Sequence, residues 1–276
     1  IMAWCEWQYY KNYGDKERLK KVYYPLLSFH HWLKNYHRWK DGSYWSSGWG
    51  CGMDNLPRCD LELIPDSKDW QLEPFHPSYM SWIDATLQAA MSCEYLIMMA
   101  EELGISDDVD ALRDEYDNLV RFVNEKMWSE KDGFYYDLKA DGSFLAVKTV
   151  AAFWALIAKI APPDRVDALC RHLEDKNEFN RPNRVPALSA DHPDYKAAGG
   201  YWNGGVWAPT NYMVLCGLSA NGKEKLAKDI AECCYQNAME VYRKTCTFWE
   251  NSAPETADRV DPARDDYVGW TGIFPI

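Results

Sequence analysis

The sequence predicts an all-α fold of helical hairpins arranged in two concentric layers. Helices that are apolar nearly all round alternate, four times in 276 residues, with helices that are apolar on one stripe. A helix that is apolar on every side must be covered on every side, whereas an amphipathic helix lies at the surface. The links alternate as well, because each covered helix is followed by a short link and each amphipathic helix by a long one.

The individual elements follow from these patterns. The predicted covered helices span residues 1–13, 79–103, 143–160 and 206–218. Their amphipathic successors span residues 15–36, 107–128, 163–173 and 223–242. In the second of these, Leu112, Leu119 and Val123 share one stripe, and Ser106 is the expected N-cap.

The long links predict where the protein works. They span residues 37–77, 128–142, 175–205 and 243–269, and in antiparallel hairpins they all lie at one end of the molecule. Long connections in a compact domain are uncommon unless they are functional. These links also contain many of the 14 Trp and 18 Tyr residues, so we expect the functional face at this end.

Composition excludes several classes of protein. A net charge of −12 without a basic run argues against a nucleic-acid partner. The longest apolar run, residues 149–160, is too short to span a membrane. The nine cysteines include no CxxC pair, so we expect mostly free thiols, with a disulfide between Cys51 and Cys59 left open. The oligomeric state is also left open.

Two of the long links carry candidate catalytic carboxylates. The first contains DGSYWSSGWGCGMDNLPR (residues 41–58), in which Trp45 and Trp49 offer flat faces beside Asp54. The last contains FWENSAPET, where Glu250 follows Trp249 in surroundings that raise a carboxyl pKa by desolvation. A glycine-rich turn capped by Asp54, and a solvated acidic loop, are the structural alternatives.

The third link adds an aromatic cluster at a helix entrance. It ends in GGYWNGGVWAPTNY (residues 199–212), with Tyr201, Trp202 and Trp207, while Trp270 closes the last link. Two carboxylates on facing loops over an aromatic cavity suit the hydrolysis of a glycoside. One carboxylic acid protonates the leaving oxygen, and the other carboxylate activates water or attacks directly. This chemistry needs no cofactor and no metal, and its partner is an oligosaccharide or a small glycoside.

Three motifs resemble those of a known clan. GMDNLPR (52–58), YWNGGVWAPTNY (201–212) and WENSAPET (249–256) are similar to motifs of the (α/α)6 glycosidases that include trehalase and the family 63 α-glucosidases. The resemblance implies an (α/α)6 toroid that hydrolyses an α-linked glucoside or a related α-glycoside. It also implies an inverting mechanism, with Asp54 as general acid and Glu250 as general base.

The resemblance and the residues together give a set of candidate sugar contacts. These are Trp45, Trp49, Asn55, Arg58, Asp84, Tyr201, Trp202, Gly204, Trp207, Trp249 and Trp270. The sequence departs from the clan at Asn203, where Arg is usual, and at Ala257, where Gly is usual. The first departure leaves the preferred sugar open.

Three other interpretations compete with this one. A non-catalytic sugar-binding module would keep the aromatic loops without needing both carboxylates. A retaining glycosidase would hold its carboxyl groups about 5–5.5 Å apart, against about 6.5–9.5 Å for inversion. A terpenoid cyclase needs an acidic motif that residues 107–110 only approach, because Ala stands at position 111.

The helix count also bears on domain organisation. Four hairpins and the start of a further helix are fewer than a six-hairpin ring requires. We therefore expect residues 1–276 to be a single catalytic domain truncated at both ends, with apolar helix faces exposed at the open seam.

Overall fold

The computed structural model describes residues 1–58, 79–260, 263–265, 267 and 269–273. Its helices, in chain order, are α1 Met2–Tyr13, α2 Lys16–Tyr36, α3 Gly48–Cys51, α4 Ile83–Leu103, α5 Val109–Lys126, α6 Trp154–Ile157, α7 Pro163–Glu174, α8 Ala208–Ala220 and α9 Glu224–Thr245. Two 3₁₀ helices span Val150–Phe153 and Trp270–Ile273. The predicted all-α class is confirmed, and most predicted helices agree with the observed ones to within a few residues.

Two small hairpins interrupt the helices between α5 and α6. Strand β1 (Trp128–Ser129) pairs antiparallel with β2 (Phe134–Tyr135), and β3 (Asp137–Leu138) pairs antiparallel with β4 (Phe144–Leu145). Ser81, just before α4, bridges to Leu138. The second long link is therefore folded back onto the entrance of an inner helix.

Burial separates the two layers of the toroid. Twelve of the 21 residues of α4 are buried, against four of the 18 residues of the amphipathic α5. Helix α4 packs against α1, α2 and α5, and α8 packs against α6 and α9. The ring of Trp4 on α1 lies 6.4 Å from that of Tyr212 on α8, so these two inner helices approach each other.

The predicted helix over residues 143–160 is wrong in its first half. Residues 144 and 145 form β4, Thr149 bridges to Leu188, and the Val150 amide donates to the Ala187 carbonyl at 2.9 Å. These pairings with distant residues use the backbone groups that a helix would need. The α-helical part shrinks to α6, and Lys159, at φ 54°, follows it in the left-handed region.

The predicted burial of the first helix and the predicted N-cap are also wrong. In α1 the residue that is buried is Ala3, whereas Met2 and Tyr13 are exposed, because the described part of the chain covers α1 mainly from α2 and α4. Apolar side chains such as Trp32 are exposed on α2 as well. That the toroid is incomplete stays a prediction.

Helix α5 has Asp108, not Ser106, at its N-cap position, and the Asp108 side chain makes no capping hydrogen bond.

The state of the cysteines agrees with the prediction of mostly free thiols. The eight described cysteines are free thiols, and Cys59 lies outside the described residues, so its pairing with Cys51 does too. None of the helices in the described ranges combines the length and apolar character needed to cross a membrane.

Candidate active site

The long loops meet at the entrances of the inner helices. We call residues 37–58 the first loop, 127–149 the second, 175–207 the third and 246–269 the fourth. The third and fourth loops are joined by paired backbone hydrogen bonds between Val206 and Ser252, at 2.9 and 3.1 Å. The Asn183 amide side chain adds bonds to the Ser252 hydroxyl and the Ala253 carbonyl, at 2.9 and 3.0 Å.

Asn55 connects the first loop to the third. Its Nδ2 donates to the Gly200 carbonyl at 3.0 Å, and its Oδ1 accepts from the Trp202 amide at 2.9 Å. Both ends of the side chain are therefore committed to backbone groups. This bridge places the preceding residue, Asp54, against Tyr201.

Asp54 and Glu250 both lie near the phenol of Tyr201. Asp54 is half-buried, and desolvation raises the pKa of its carboxyl, while a hydrogen bond with the Tyr201 side chain opposes that rise. Burial and the negative charges of Glu250 and Asp54 raise the pKa of Tyr201 to about 12. The structure thus brings the two predicted catalytic carboxylates, from the first and fourth loops, to one aromatic side chain.

Glu250 is held through its backbone. Its amide donates to the Arg264 carbonyl at 3.0 Å, and its carbonyl accepts from the Trp270 Nε1 at 2.8 Å. The Thr271 hydroxyl donates to the carbonyl of the preceding Trp249 at 2.5 Å. Trp270 and Thr271, at the start of the last 3₁₀ helix, therefore fix the backbone at Glu250, the candidate base.

Stacked tryptophans form the wall beside Tyr201. The rings of Trp202 and Trp207 are parallel with centroids 3.8 Å apart, and the Trp207 ring lies 6.1 Å from that of Trp270. Trp202 and Trp207 are only 6% and 1% exposed, whereas Trp270 is 37% exposed. Trp270 therefore offers more surface for a sugar ring than the buried pair does. Trp249 is half-buried and donates from Nε1 to the Thr245 hydroxyl at 3.0 Å.

Glycines make the turn of the third loop possible. A Cβ on Gly205 would lie 2.1 Å from the Tyr201 carbonyl oxygen, and one on Gly204 would lie 2.6 Å from the Lys196 carbonyl oxygen. Gly204 also has φ 147°, and Tyr201 itself has φ 64°. Gly204, predicted to contact sugar, is buried and serves this close backbone packing.

A buried ion cluster fixes the end of the first loop. Arg58 is 1% exposed and donates to Asp137 from Nε and Nη2, both at 2.8 Å. It also donates to Asp84 from Nη1 at 3.0 Å and from Nη2 at 2.9 Å, and its guanidinium lies 4.7 Å from the Trp82 ring centroid. The sequence predicts that Arg58 and Asp84 contact sugar. In the structure these buried side chains bind each other, and their sugar contacts stay predictions.

Trp45 and Trp49 lie elsewhere on the first loop. The Trp45 ring stacks on His37 with centroids 4.1 Å apart, and it lines a cavity of about 360 Å³ between α1, α2 and α4. Trp49 sits on the short α3 and is 57% exposed. Their predicted sugar contacts stay predictions.

Several residues that hold the loops were not identified from the sequence. Glu255 binds Arg181 at 2.7 and 3.0 Å and accepts from the Tyr195 hydroxyl at 2.7 Å, and the hydrogen bond from Arg181 lowers the Glu255 pKa. Asn211 binds the amide and the carbonyl of Val185, at 2.9 and 3.2 Å. Its place in the YWNGGVWAPTNY motif was a signal, whereas nothing in the sequence pairs Asp137 with Arg58.

One group of side chains could in principle hold a metal ion. Among the described residues, His30, Cys93 and Glu115 bring their ligand atoms within 4.8 Å of one another between α2, α4 and α5. Burial opposes the ionised form of Glu115, but hydrogen bonds from His30, Lys34 and Tyr44 lower its pKa to about 2. The Lys34 ammonium, 2.6 Å away, already balances the carboxylate charge.

The fold and the site together define a class of protein: a helical toroid whose long-loop end carries two carboxylates at an aromatic wall. Residues 1–271 match the model of the mannosylglycerate hydrolase MGH1-like glycoside hydrolase domain. The chain therefore belongs to this family of glycoside hydrolase domains, which confirms the resemblance to family 63 drawn from the three motifs.

Relatives extend this assignment. The chain is 24% identical over 253 residues to a probable mannosyl-oligosaccharide glucosidase of Schizosaccharomyces pombe, covering 86% of this chain and 29% of that protein. It is 35% identical over 105 residues to a mannosylglycerate hydrolase of Thermus thermophilus, covering 37% of this chain and 25% of that protein. The chain spans less than half the length of the curated relatives it matches.

A solved structure supports the fold. A family 63 mannosylglycerate hydrolase of Thermus thermophilus, in complex with Tris, superposes with a TM-score of 0.75 at 20% identity. The match covers 89% of this chain and 68% of that one. At this identity the likeness shows the toroidal fold.

Proposed function

We propose that this chain carries the catalytic site of an inverting glycoside hydrolase that cleaves an α-linked glucoside or a related α-glycoside. Asp54 is the general acid and Glu250 the general base. The observation that carries the proposal is the joining of the third loop to the first through Asn55 and to the fourth through Val206 and Ser252, so that the loops bearing the two carboxylates meet at one aromatic wall.

The environment of Asp54 suits an acid. Desolvation raises the pKa of its carboxyl, which keeps a larger fraction protonated near neutral pH than a solvated aspartate would have. When the glycosidic bond breaks, this proton passes to the departing oxygen. The leaving group then departs as a neutral alcohol.

Glu250 acts as the general base on the other side of the sugar. It accepts a proton from a water molecule whose oxygen forms the new bond to the anomeric carbon. One bond to the anomeric carbon breaks while another forms on the opposite face, so the configuration inverts. Trp270, hydrogen-bonded to the Glu250 carbonyl and partly exposed, is placed to pack against the apolar face of the ring.

Arg58 and Asp84 act in this proposal by positioning the first loop, not by touching sugar. The α-glucoside assignment follows the resemblance of the motifs, and the names of the relatives add mannosylglycerate to the candidates. The preferred sugar is therefore tested with both glucose and mannose donors.

The test is a hydrolysis assay on the full-length protein with α-linked glucose and mannose disaccharides and their glycerate glycosides. Asp54→Asn and Glu250→Gln should each lower kcat by about 10²–10⁴-fold, the usual contribution of a general acid or base. Asp265→Asn is the matched control, because Asp265 is an exposed carboxylate of the same fourth loop. Its activity should stay close to wild type.

Two results would contradict the proposal. Wild-type turnover by either Asp54→Asn or Glu250→Gln would remove the assigned residue from the mechanism. Proton NMR of the first-formed sugar reports the stereochemistry directly, and a product that retains the α configuration would exclude inversion.

A further inference from the structure

We propose that His30, Cys93 and Glu115 bind a Zn²⁺ ion in the interior of the helical layers and form a structural metal site. The three side chains come from α2, α4 and α5, and α4 packs against both of the other helices. None of the three belongs to the long loops. The proposal is therefore independent of the roles assigned to the carboxylates of the candidate active site.

The two outer helices each place an ionisable side chain in an otherwise apolar stripe. On α5 the buried residues are Leu112, Glu115, Leu119 and Val123, and on α2 the buried residue nearest the C-terminal end is His30. Their exposed fractions are 0% for His30 and 5% for Glu115. Because burial of an ionisable group costs free energy unless partners compensate it, these two positions require close partners.

Hydrogen bonding alone accounts poorly for His30. Its Nε2 lies 3.5 Å from the Glu115 Oε2 and 3.5 Å from the Cys93 Sγ. A hydrogen bond between nitrogen and oxygen is usually about 2.7–3.2 Å long, so the first of these contacts is loose. The other ring nitrogen, Nδ1, is buried and makes no hydrogen bond with any residue of the described ranges.

The same distances suit three ligands of one metal ion. Zn²⁺ lies about 2.0–2.2 Å from its nitrogen and oxygen ligands and about 2.3 Å from sulfur, in a tetrahedron. Two of its ligand atoms are then roughly 3.3–3.6 Å apart. The Nε2 of His30 lies at such a distance from both partners, and all three ligand atoms lie within 4.8 Å of one another.

The types of ligand atom favour Zn²⁺. Imidazole nitrogen and thiolate sulfur are typical zinc ligands, whereas Ca²⁺ and Mg²⁺ take oxygen ligands. Burial raises the pKa of the Cys93 thiol, so this thiol keeps its proton until a metal ion replaces it. When Zn²⁺ binds the sulfur, the proton leaves to water, and the thiolate charge partly balances that of the ion.

The groups around Glu115 are compatible with this site. The Lys34 ammonium lies 2.6 Å from Oε2, and the Tyr44 hydroxyl donates to Oε1. Each carboxylate oxygen has two lone pairs, so both contacts persist as outer hydrogen bonds when Oε2 also binds the ion. A cavity of about 320 Å³ between the first loop and α5 reaches Glu115 and gives the ion a path from solvent.

The test measures Zn²⁺ bound to full-length, tag-free protein that has been stripped with a chelator and then loaded with ZnCl₂. We expect one Zn²⁺ per chain and a higher Tm, because an ion that binds the folded state stabilises it. Loading with CoCl₂ instead should give a thiolate-to-cobalt charge-transfer band in the near ultraviolet and the visible bands of tetrahedral Co²⁺.

Cys93→Ala identifies the ligand. This variant should lose the charge-transfer band and bind Zn²⁺ more weakly by more than the roughly 10–100-fold that outer hydrogen-bond partners contribute. Cys234→Ala is the matched control, because Cys234 is another buried free thiol, 2% exposed, whose Sγ contacts the Arg184 carbonyl at 2.8 Å. Its Co²⁺ spectrum and its affinity for Zn²⁺ should equal those of wild type.

Three results would overturn the proposal. They are a wild-type protein that takes up no Zn²⁺, a Co²⁺ form without the charge-transfer band, and a band that survives Cys93→Ala. In the last case the thiolate would come from another cysteine. None of these measurements uses turnover, so a protein that hydrolyses none of the glycosides contradicts the proposed function and leaves the metal site to be decided by the spectra.

Discussion

Arg58 is the residue whose replacement tests the framework beneath the site most directly. Its guanidinium makes four hydrogen bonds, at 2.8–3.0 Å, to Asp84 and Asp137, and the three side chains are 1%, 2% and 4% exposed. Arg58→Met keeps most of the side-chain length and its packing over Trp82 while it removes the charge. Two buried carboxylates then face each other without a cation.

The expected loss of stability follows from the two buried carboxylates that Arg58→Met leaves unpaired. Breaking a buried ion pair by removing one partner destabilises a protein by about 3–5 kcal/mol, mostly because a buried charge is left uncompensated. For a chain of this size each kcal/mol lowers Tm by about 2–4 °C, so we expect a loss of about 6–20 °C. The first loop should also loosen, because Arg58 ties its end to the start of α4 and to β3.

Chemical unfolding followed by tryptophan fluorescence measures this loss of stability. Arg165→Met is the matched control, since Arg165 also lies 4.7 Å over a tryptophan ring, but its carboxylate partner Glu130 is 82% exposed and its other acceptors, on Asn124, are uncharged. We expect that control to cost about 1 kcal/mol. An Arg58→Met variant that is no less stable than Arg165→Met would refute the reasoning.

Two further predictions concern the third loop and the helix termini. Gly205→Ala should lower stability by about 1–3 kcal/mol and reduce hydrolysis, since its Cβ would meet the Tyr201 carbonyl at 2.1 Å. Gly272→Ala, with open space around its Cβ, should stay within about 0.5 kcal/mol of wild type. Asp15→Ala should cost about 1 kcal/mol, because the Asp15 carboxylate accepts from the Arg18 amide at 3.0 Å, whereas Ser106→Ala should be nearly neutral. Thermal unfolding measures all four variants, and equal values for Asp15→Ala and Ser106→Ala would contradict the capping assignment.

The helical layers were predictable because the apolar pattern of each helix indicates which of its sides are buried. An amphipathic stripe such as that of α5 follows from residues three and four apart in sequence, and so does the all-round apolar character of α4. The first half of the segment at residues 143–160 was not predictable in this way. Its conformation depends on hydrogen bonds to the third loop, such as that from the Val150 amide to Ala187, and apolar periodicity carries no information about such partners.

The candidate site likewise contains residues that the sequence could indicate and contacts that it could not. Asp54 and Glu250 are candidates because each lies in a short motif whose residue types suit glycoside hydrolysis. The sugar contacts predicted for Arg58 and Asp84 rested on the same motifs, but the structure shows that Asp137 binds Arg58 as closely as Asp84 does. Asp137 lies 79 positions from Arg58, and such a pairing depends on how the second loop folds back. The structure shows Arg58 buried between these two carboxylates, which its residue type does not reveal.

The fourth loop contains two glutamates, Glu250 and Glu255, whose surroundings differ. Glu255 is bound by Arg181 and by the Tyr195 hydroxyl, so its charge is used to hold the fourth loop against the third. Among the described residues no ion pair forms on the Glu250 carboxylate, whereas its backbone is fixed at both its amide and its carbonyl. A general base needs a rigid position and a carboxylate that is not already neutralised by a cation. The partners of the two glutamates therefore favour Glu250 as the base and leave Glu255 as the residue that keeps its loop in place.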